Sequence, residues 1–439
     1  MKFRAWMGVC VFLFFGGVAP RAVAQTPSRE VIRHAEDPAE AESRETLAKA
    51  QAAMDKTDFA GAVQICSEYL EKNPDDAAVH FQLGYAYTAL GNAPEAESEY
   101  RKATAIDPKM GPAYLNLGLT LLERRPAEAI APLRQATELM PDQLRPKFLL
   151  GIALEQTGDF SSAIEELRSA RNLDKKDFNT QLELARALLR AKNPADAERE
   201  FRAALEIQPG ASAAHLGLAQ TLVQEKKMAE AATELGTYLQ SQPNDFDAHV
   251  QRASILGDVD KNADALGELD RAASIRADTK ETLELRSVID VRLKKYDDAL
   301  VALQKIESTA PDDRDLHARI GHIYLEKKDY PGAVKELAIA FRADPSQEDV
   351  LRDLLAAQYL GGNYPAALDL LDALAKRESL SNGSWYIRAT CYDKLGRKQE
   401  AIDGYRKFLD LNGGQTNDQY FAASERVRIL ERELKEKKH

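Results

Sequence analysis

Apolar side chains along this chain fall in short blocks of helical period, each broken by a polar turn and then resumed. The block at 77–110 shows the pattern plainly. His80, Leu83, Gly84 and Tyr87 share one face of a predicted helix, and Leu90-Gly91-Asn92 interrupts it. Ala96, Tyr100 and Ala103 then line a second helix. Gly91 suits the left-handed conformation that closes a helix. Pro94 opens the second helix, whose first turn needs no amide donor, and Asp107-Pro108 ends it, because a residue before proline avoids the helical region. The block returns along the chain. Ala62, Ala96, Ala129, Ala163, Ala197, Ala231, Ala265, Ala299, Ala333, Ala367 and Ala401 stand 34 residues apart, with a single spacing of 33 between Ala96 and Ala129. Such a period means one small helical unit stacked many times, so the fold grows by addition and needs no single large core.

The order of ring, Leu-Gly, Tyr, Ala, aromatic, Ala and Pro in this block resembles the tetratricopeptide repeat. The resemblance runs from residue 43 to residue 415 of 439. It implies an all-α fold: an α-solenoid of about eleven helical hairpins in a right-handed superhelix, with a C-terminal capping helix. The expected repeats are 43–76, 77–110, 111–143, 144–177, 178–211, 212–245, 246–279, 280–313, 314–347, 348–381 and 382–415. The closing proline stands as Pro74, Pro108, Pro141, Pro209, Pro243, Pro311 and Pro345, and is replaced by Lys175, Ala277, Ser379 and Gly413. Gly84 and Ala96 are small enough to let paired helices approach closely, where added bulk costs about 1–3 kcal/mol. The third repeat lacks one residue in its turn near Arg124-Arg125-Pro126, and Pro132 within its second helix predicts a late start or a kink. Residues 417–435 read as the capping helix, with Tyr420, Ala423, Val427, Leu430 and Leu434 as its apolar stripe.

The ends of the chain read differently. Lys2 and Arg4, an apolar run from Trp6 to Ala19 and the small residues of Ala22-Val23-Ala24 have the order of a cleavable secretory signal peptide over 1–24. Fourteen apolar residues are too few to span a bilayer core, which takes about 20. The expectation is therefore export to the periplasm or beyond, with no stable membrane span. Residues 25–42 read as a flexible linker. Cleavage changes the charge from −11 to −14, and such a chain repels phosphate backbones, so nucleic acid is not an expected partner. Cys66 and Cys391 have nine repeats between them, too far for a disulfide within one chain.

Signatures of chemistry are missing from the sequence. His80, His215, His249 and His317 all take the fourth position of a repeat, where the chain has Tyr114 and Trp385 elsewhere. That spacing sets them in successive stacked repeats as packed rings, and not around one ion. The chain has no H-E-x-x-H, C-x-x-C, G-x-S-x-G, phosphate loop or G-x-G-x-x-G motif. The expectation is no catalytic residue, no metal and no cofactor.

In the resembled family, positions 2, 5, 9 and 12 of each first helix face a groove. Early repeats place Phe81, Tyr85, Leu115, Leu119, Leu122, Phe148 and Ile152 there, and the fifth adds Arg186 to a mixed stretch with Asn179; Gln220 belongs to the sixth. Later repeats place Asp247, Glu281, Glu284, Asp315, Asp349, Arg352 and Asp393, with Tyr359 and Tyr386. The early residues are the candidate peptide-binding surface; the competing reading has them fill the superhelix or pack on 25–42. The Lys and Asn clamp by which some family members grip C-terminal carboxylates is absent at Leu47, Gln51, Phe81, Tyr85, Leu115 and Leu119. Arg252, Arg286 and Asp290 stand at seam positions that are usually Leu or Tyr; Arg286 and Asp290 are spaced for an ion pair, and the favoured reading is a softer joint over 246–313.

Together these readings point to a non-catalytic exported scaffold or adaptor that binds a protein or peptide segment in its groove. The alternative is an accessory subunit organising a cell-envelope secretion or polysaccharide-synthesis complex. Partner identity and oligomeric state are not written in the sequence.

Overall fold

A computed structural model describes residues 38–308, 313–377, 379–411 and 418–436. The expected signal peptide, Pro311, Gly413 and residues 25–37 of the expected linker lie outside these. The described residues fall into two compact bodies, divided between Thr120 and Leu121. Among the described residues there are twenty-three α-helices and no strand. The fold is an all-α solenoid.

In the first body lie α1 (Pro38–Asp55), α2 (Phe59–Leu70), α3 (Ala77–Ala89) and α4 (Ala93–Ile106), and α5 (Gly111–Leu122) carries the division. The second body continues with α6 (Pro126–Leu139), α7 (Leu144–Gln156), α8 (Phe160–Leu173), α9 (Phe178–Arg190), α10 (Pro194–Ile207), α11 (Ser212–Gln224) and α12 (Met228–Ser241). Next come α13 (Phe246–Asp258), α14 (Asn262–Ile275), α15 (Lys280–Arg292), α16 (Tyr296–Glu307), α17 (Arg314–Glu326) and α18 (Tyr330–Ala343). The last are α19 (Glu348–Leu360), α20 (Tyr364–Ala375), α21 (Asn382–Lys394), α22 (Lys398–Leu411) and α23 (Asp418–Glu436). From α6 to α23 each helix packs on the next, and odd-numbered helices also touch, as α13 does α15 and α17 does α19.

All eleven alanines of the ladder are completely buried, each in the second helix of its pair. A Cβ on Gly84 would sit 2.8 Å from the Tyr100 ring and 3.3 Å from the Ala96 carbonyl oxygen, so the close approach requires glycine there. Ten hairpins turn on one residue of positive φ. It is glycine at Gly91, Gly158, Gly362 and Gly396, but Thr57, Lys192, Lys226, Asp260, Lys294 and Lys328 in the other six. The third repeat, one residue short, turns without it: Arg125 has φ −141° and caps α6.

Two expectations are corrected. α1 starts at Pro38, so 38–42 are helical; proline at a first helical position has its φ already set. α6 does not start late: it runs from Pro126 to Leu139 as one helix, with Pro132 buried inside it. At the C terminus, Ala423, Val427 and Leu430 of α23 join Tyr405 and Phe408 in one apolar cluster. Arg426 fixes α23 by donating from Nε and Nη2 to the two Asp393 oxygens at 2.6 and 2.8 Å.

Candidate functional site

First helices α13, α15, α17 and α19 border a cleft of about 770 Å³ in the second body. Small residues hollow it: Ser254, Gly257 and Ala318 occupy positions 9, 12 and 5 of their helices, where a long side chain would fill the space. Its wall is mainly aliphatic, with Leu285, Val291 and Ile323, and Val288 leaves 46% of its surface exposed.

Charged groups stand around this apolar floor. Arg319 Nη1 meets Glu284 Oε1 at 3.1 Å, and His322 Nδ1 meets Asp353 Oδ2 at 2.8 Å. The hydrogen bond to Asp353 raises the His322 pKa above the ordinary imidazole value. Arg292 donates to the Gly257 carbonyl at 2.5 Å. Glu281 and Asp349 are exposed on the rim, with no ion pair among the described residues. The Glu281 carboxyl is held below its usual range by hydrogen bonds from its own amide and Thr279. The cleft therefore offers aliphatic contact inside a rim with two unpaired carboxylates.

The residues expected to form the binding surface lie elsewhere. In the first body, Phe81 and Tyr85 are half-buried; the Phe81 ring stands 5.9 Å from that of Tyr100, and Tyr85 packs on the cluster that includes Leu83 and Ala86. Leu115 and Leu119 are also half-buried. In the second body, Leu122 is buried, so its place on an open groove wall is corrected. Phe148 packs on the long apolar cluster, and Ile152 is half-buried. Arg186 is paired with Glu183 at 2.6 Å, beside a contact of 3.4 Å between Arg190 and Glu155. Burial raises both carboxyl pKa values.

Several charged groove positions are engaged too. Asp247 meets Arg276, Arg352 meets Glu348, and Asp393 holds Arg426. The seam charges also differ from expectation. Arg286 pairs with Asp270 at 2.7 Å, because it reaches the preceding helix before it reaches along its own. Arg252 pairs with Glu268 and donates to the Ala232 carbonyl. Asp290 is left 2% exposed, its pKa raised by burial and the nearby Asp298 carboxylate against the opposing pull of Arg286.

The fourth-position histidines form a recurrent bridge. Nδ1 faces a carboxylate 19 residues later: His80 with Glu99 at 2.5 Å, His215 with Glu234 at 2.6 Å, His249 with Glu268 at 2.5 Å and His317 with Glu336 at 2.8 Å. In the first three, Nε2 faces the carbonyl of Pro74, Pro209 or Pro243. Gln181 makes the corresponding contact to Glu200 in the fifth repeat. The 19-residue spacing is present in the sequence, but glutamates are so common on these helices that it carries no distinct signal there.

Two family models, both described as tetratricopeptide repeat, match the chain, one over 53–118, 188–254 and 291–357, the other over 113–178 and 355–416. A curated relative, the small glutamine-rich tetratricopeptide repeat-containing protein 2 of Mycosarcoma maydis, is 31% identical over 124 residues. That alignment takes 28% of this chain and 35% of the relative, so the chain spans about a third of the relative's length. Among solved structures, YrrB, a TPR protein with an unusual peptide-binding site, is 20% identical at a TM-score of 0.39, covering 42% of this chain and 95% of its own. A tetratricopeptide repeat protein from Parabacteroides merdae is 16% identical at a TM-score of 0.40, covering 56% of this chain and 97% of its own.

Proposed function

Because this chain belongs to the tetratricopeptide repeat family, we propose that it is a non-catalytic, exported scaffold that holds a segment of a protein partner in the cleft between α13 and α19. The observation that carries this reading is the cleft itself: an open, aliphatic floor built from groove positions of consecutive repeats, with Glu281 and Asp349 unpaired on its rim. Aliphatic contact supplies affinity and the rim selects by charge. A partner segment with apolar anchors and flanking Lys or Arg fits that chemistry. Export rests on the charge, apolar run and small-residue order of residues 1–24.

Paired variants test this reading against the N-terminal surface. Val288→Glu adds a charge to an exposed cleft residue and should reduce recovery of partners from a cell-envelope fraction at least tenfold, with the melting temperature kept. Phe81→Ala with Tyr85→Ala should instead lower stability by about 2–3 kcal/mol, since half-buried rings are lost, and leave partner recovery unchanged below the melting transition. Unaltered recovery by Val288→Glu, with loss in the aromatic pair, would move the site to the first body.

A further inference from the structure

One of the four histidine bridges differs from the rest. Beside His317 and Glu336 stands a second carboxylate, Glu307, its Oε1 3.9 Å from His317 Nδ1. Position 28 of the preceding repeat supplies this residue. At the other three bridges the same position holds Leu70, Leu205 and Leu239. A carboxylate thus replaces a leucine at the one place where it faces an imidazole and another carboxylate.

We propose that His317, Glu336 and Glu307 form a zinc site that clamps the eighth repeat to the ninth. One potential ligand atom from each lies within 4.8 Å of the others. Bonds of about 2.0–2.2 Å in a tetrahedron place ligand atoms ~3.3 Å apart. The distances from His317 Nδ1, 2.8 Å to Glu336 and 3.9 Å to Glu307, bracket that value. One nitrogen and two carboxylate oxygens leave a fourth position for water. Lys335 Nζ donates to Glu336 Oε1 at 2.9 Å, leaving Oε2 directed at the histidine and available to a metal. Two carboxylates balance the charge of a divalent cation, and Lys335 beside Glu336 adds a positive charge to the loaded site. Glu307 ends α16, while His317 and Glu336 lie on α17 and α18, so the ligands span consecutive repeats.

Untagged full-length protein, freed of metal by chelation, is titrated with zinc ion alone, and with cobalt(II) as a spectroscopic probe. The expected result is one zinc per chain, a raised melting temperature, and a cobalt(II) visible band of tetrahedral type. Glu307→Leu restores the residue of the other three bridges, so it should fold, and should weaken zinc binding more than tenfold. His317→Gln copies Gln181 of the fifth repeat, retaining a donor to the glutamate without the imidazole; it should abolish the cobalt band. Zinc binding unchanged in both variants, or no binding by the native chain, would overturn the proposal.

Discussion

At His80 both ring nitrogens face acceptors, the Glu99 carboxylate and the Pro74 carbonyl, so the bridge is complete only when the imidazole carries both protons. Burial works against that charge, yet the hydrogen bonds to Glu99 and Pro74 prevail and the His80 pKa is raised. Glu99 is the counterpart: burial pushes it up, but His80 and Lys102 hold it lowered. A raised histidine pKa gives stability that is fully present below the unfolded value of about 6.5 and is lost as pH rises through the folded value. The lowered glutamate adds stability above about 4.5 that is lost as pH falls. The bridge is therefore strongest in mildly acidic solution. His80→Gln, which places at this bridge the residue found at Gln181, should flatten the dependence of melting temperature on pH between about 6 and 8. An unchanged slope would show that the bridge is not protonated. Single residues were unevenly legible in sequence. Gly91 announced its turn, but Lys192, Lys226 and Lys294 adopt the same positive φ with side chains that give no such signal. Stacking imposes that conformation on them at a cost of order 1 kcal/mol each.

Helices were the most legible scale, since Leu83, Gly84, Tyr87 and Ala96 declare a hairpin by spacing alone. Pro132 was a poor guide to where α6 begins, because a proline inside a helix removes one hydrogen bond and leaves the turn at Pro126 free to form. The seam at α15 misled for another reason. Sequence spacing sees partners on one helix, whereas Arg286 found Asp270 on the neighbouring one. The apolar cluster that begins at Leu167 ends near here, at Ile289, and a separate cluster starts at Leu283. Asp290, buried with a raised pKa, weakens this seam when ionised. A carboxyl of raised pKa stabilises the fold less as pH rises above its unfolded value of about 3.9. Asp290→Asn should therefore add about 1 kcal/mol near neutral pH and little in acid. Hydrogen exchange should be faster over 246–308 than over 144–245 in the native chain, and should slow in the variant. Uniform protection across both stretches would remove the joint.

For the whole molecule, the repeat identified fold and family, but not where an open surface lies. The positions assigned to the groove are the ones that line the cleft, as Glu281, Glu284 and Asp349 show. Residue type was an incomplete guide. Leu122 is buried and Phe81 half-buried against Tyr100, while space opens where Ser254, Gly257 and Ala318 are too small to fill it. Which apolar residue stays exposed depends on neighbours 34 residues away, and no local pattern reports that. On the proposed function, the cleft between α13 and α19 holds a segment of another protein. Site-specific photo-crosslinking in intact cells tests it most directly, with the reactive side chain placed at Val288 in the cleft or at Val301, which is 54% exposed on α16 outside it. The expected result is crosslinking from Val288 to one discrete segment of a partner, carrying apolar residues and Lys or Arg, and none of that product from Val301. Equal products from both positions, or none from Val288, would contradict the claim.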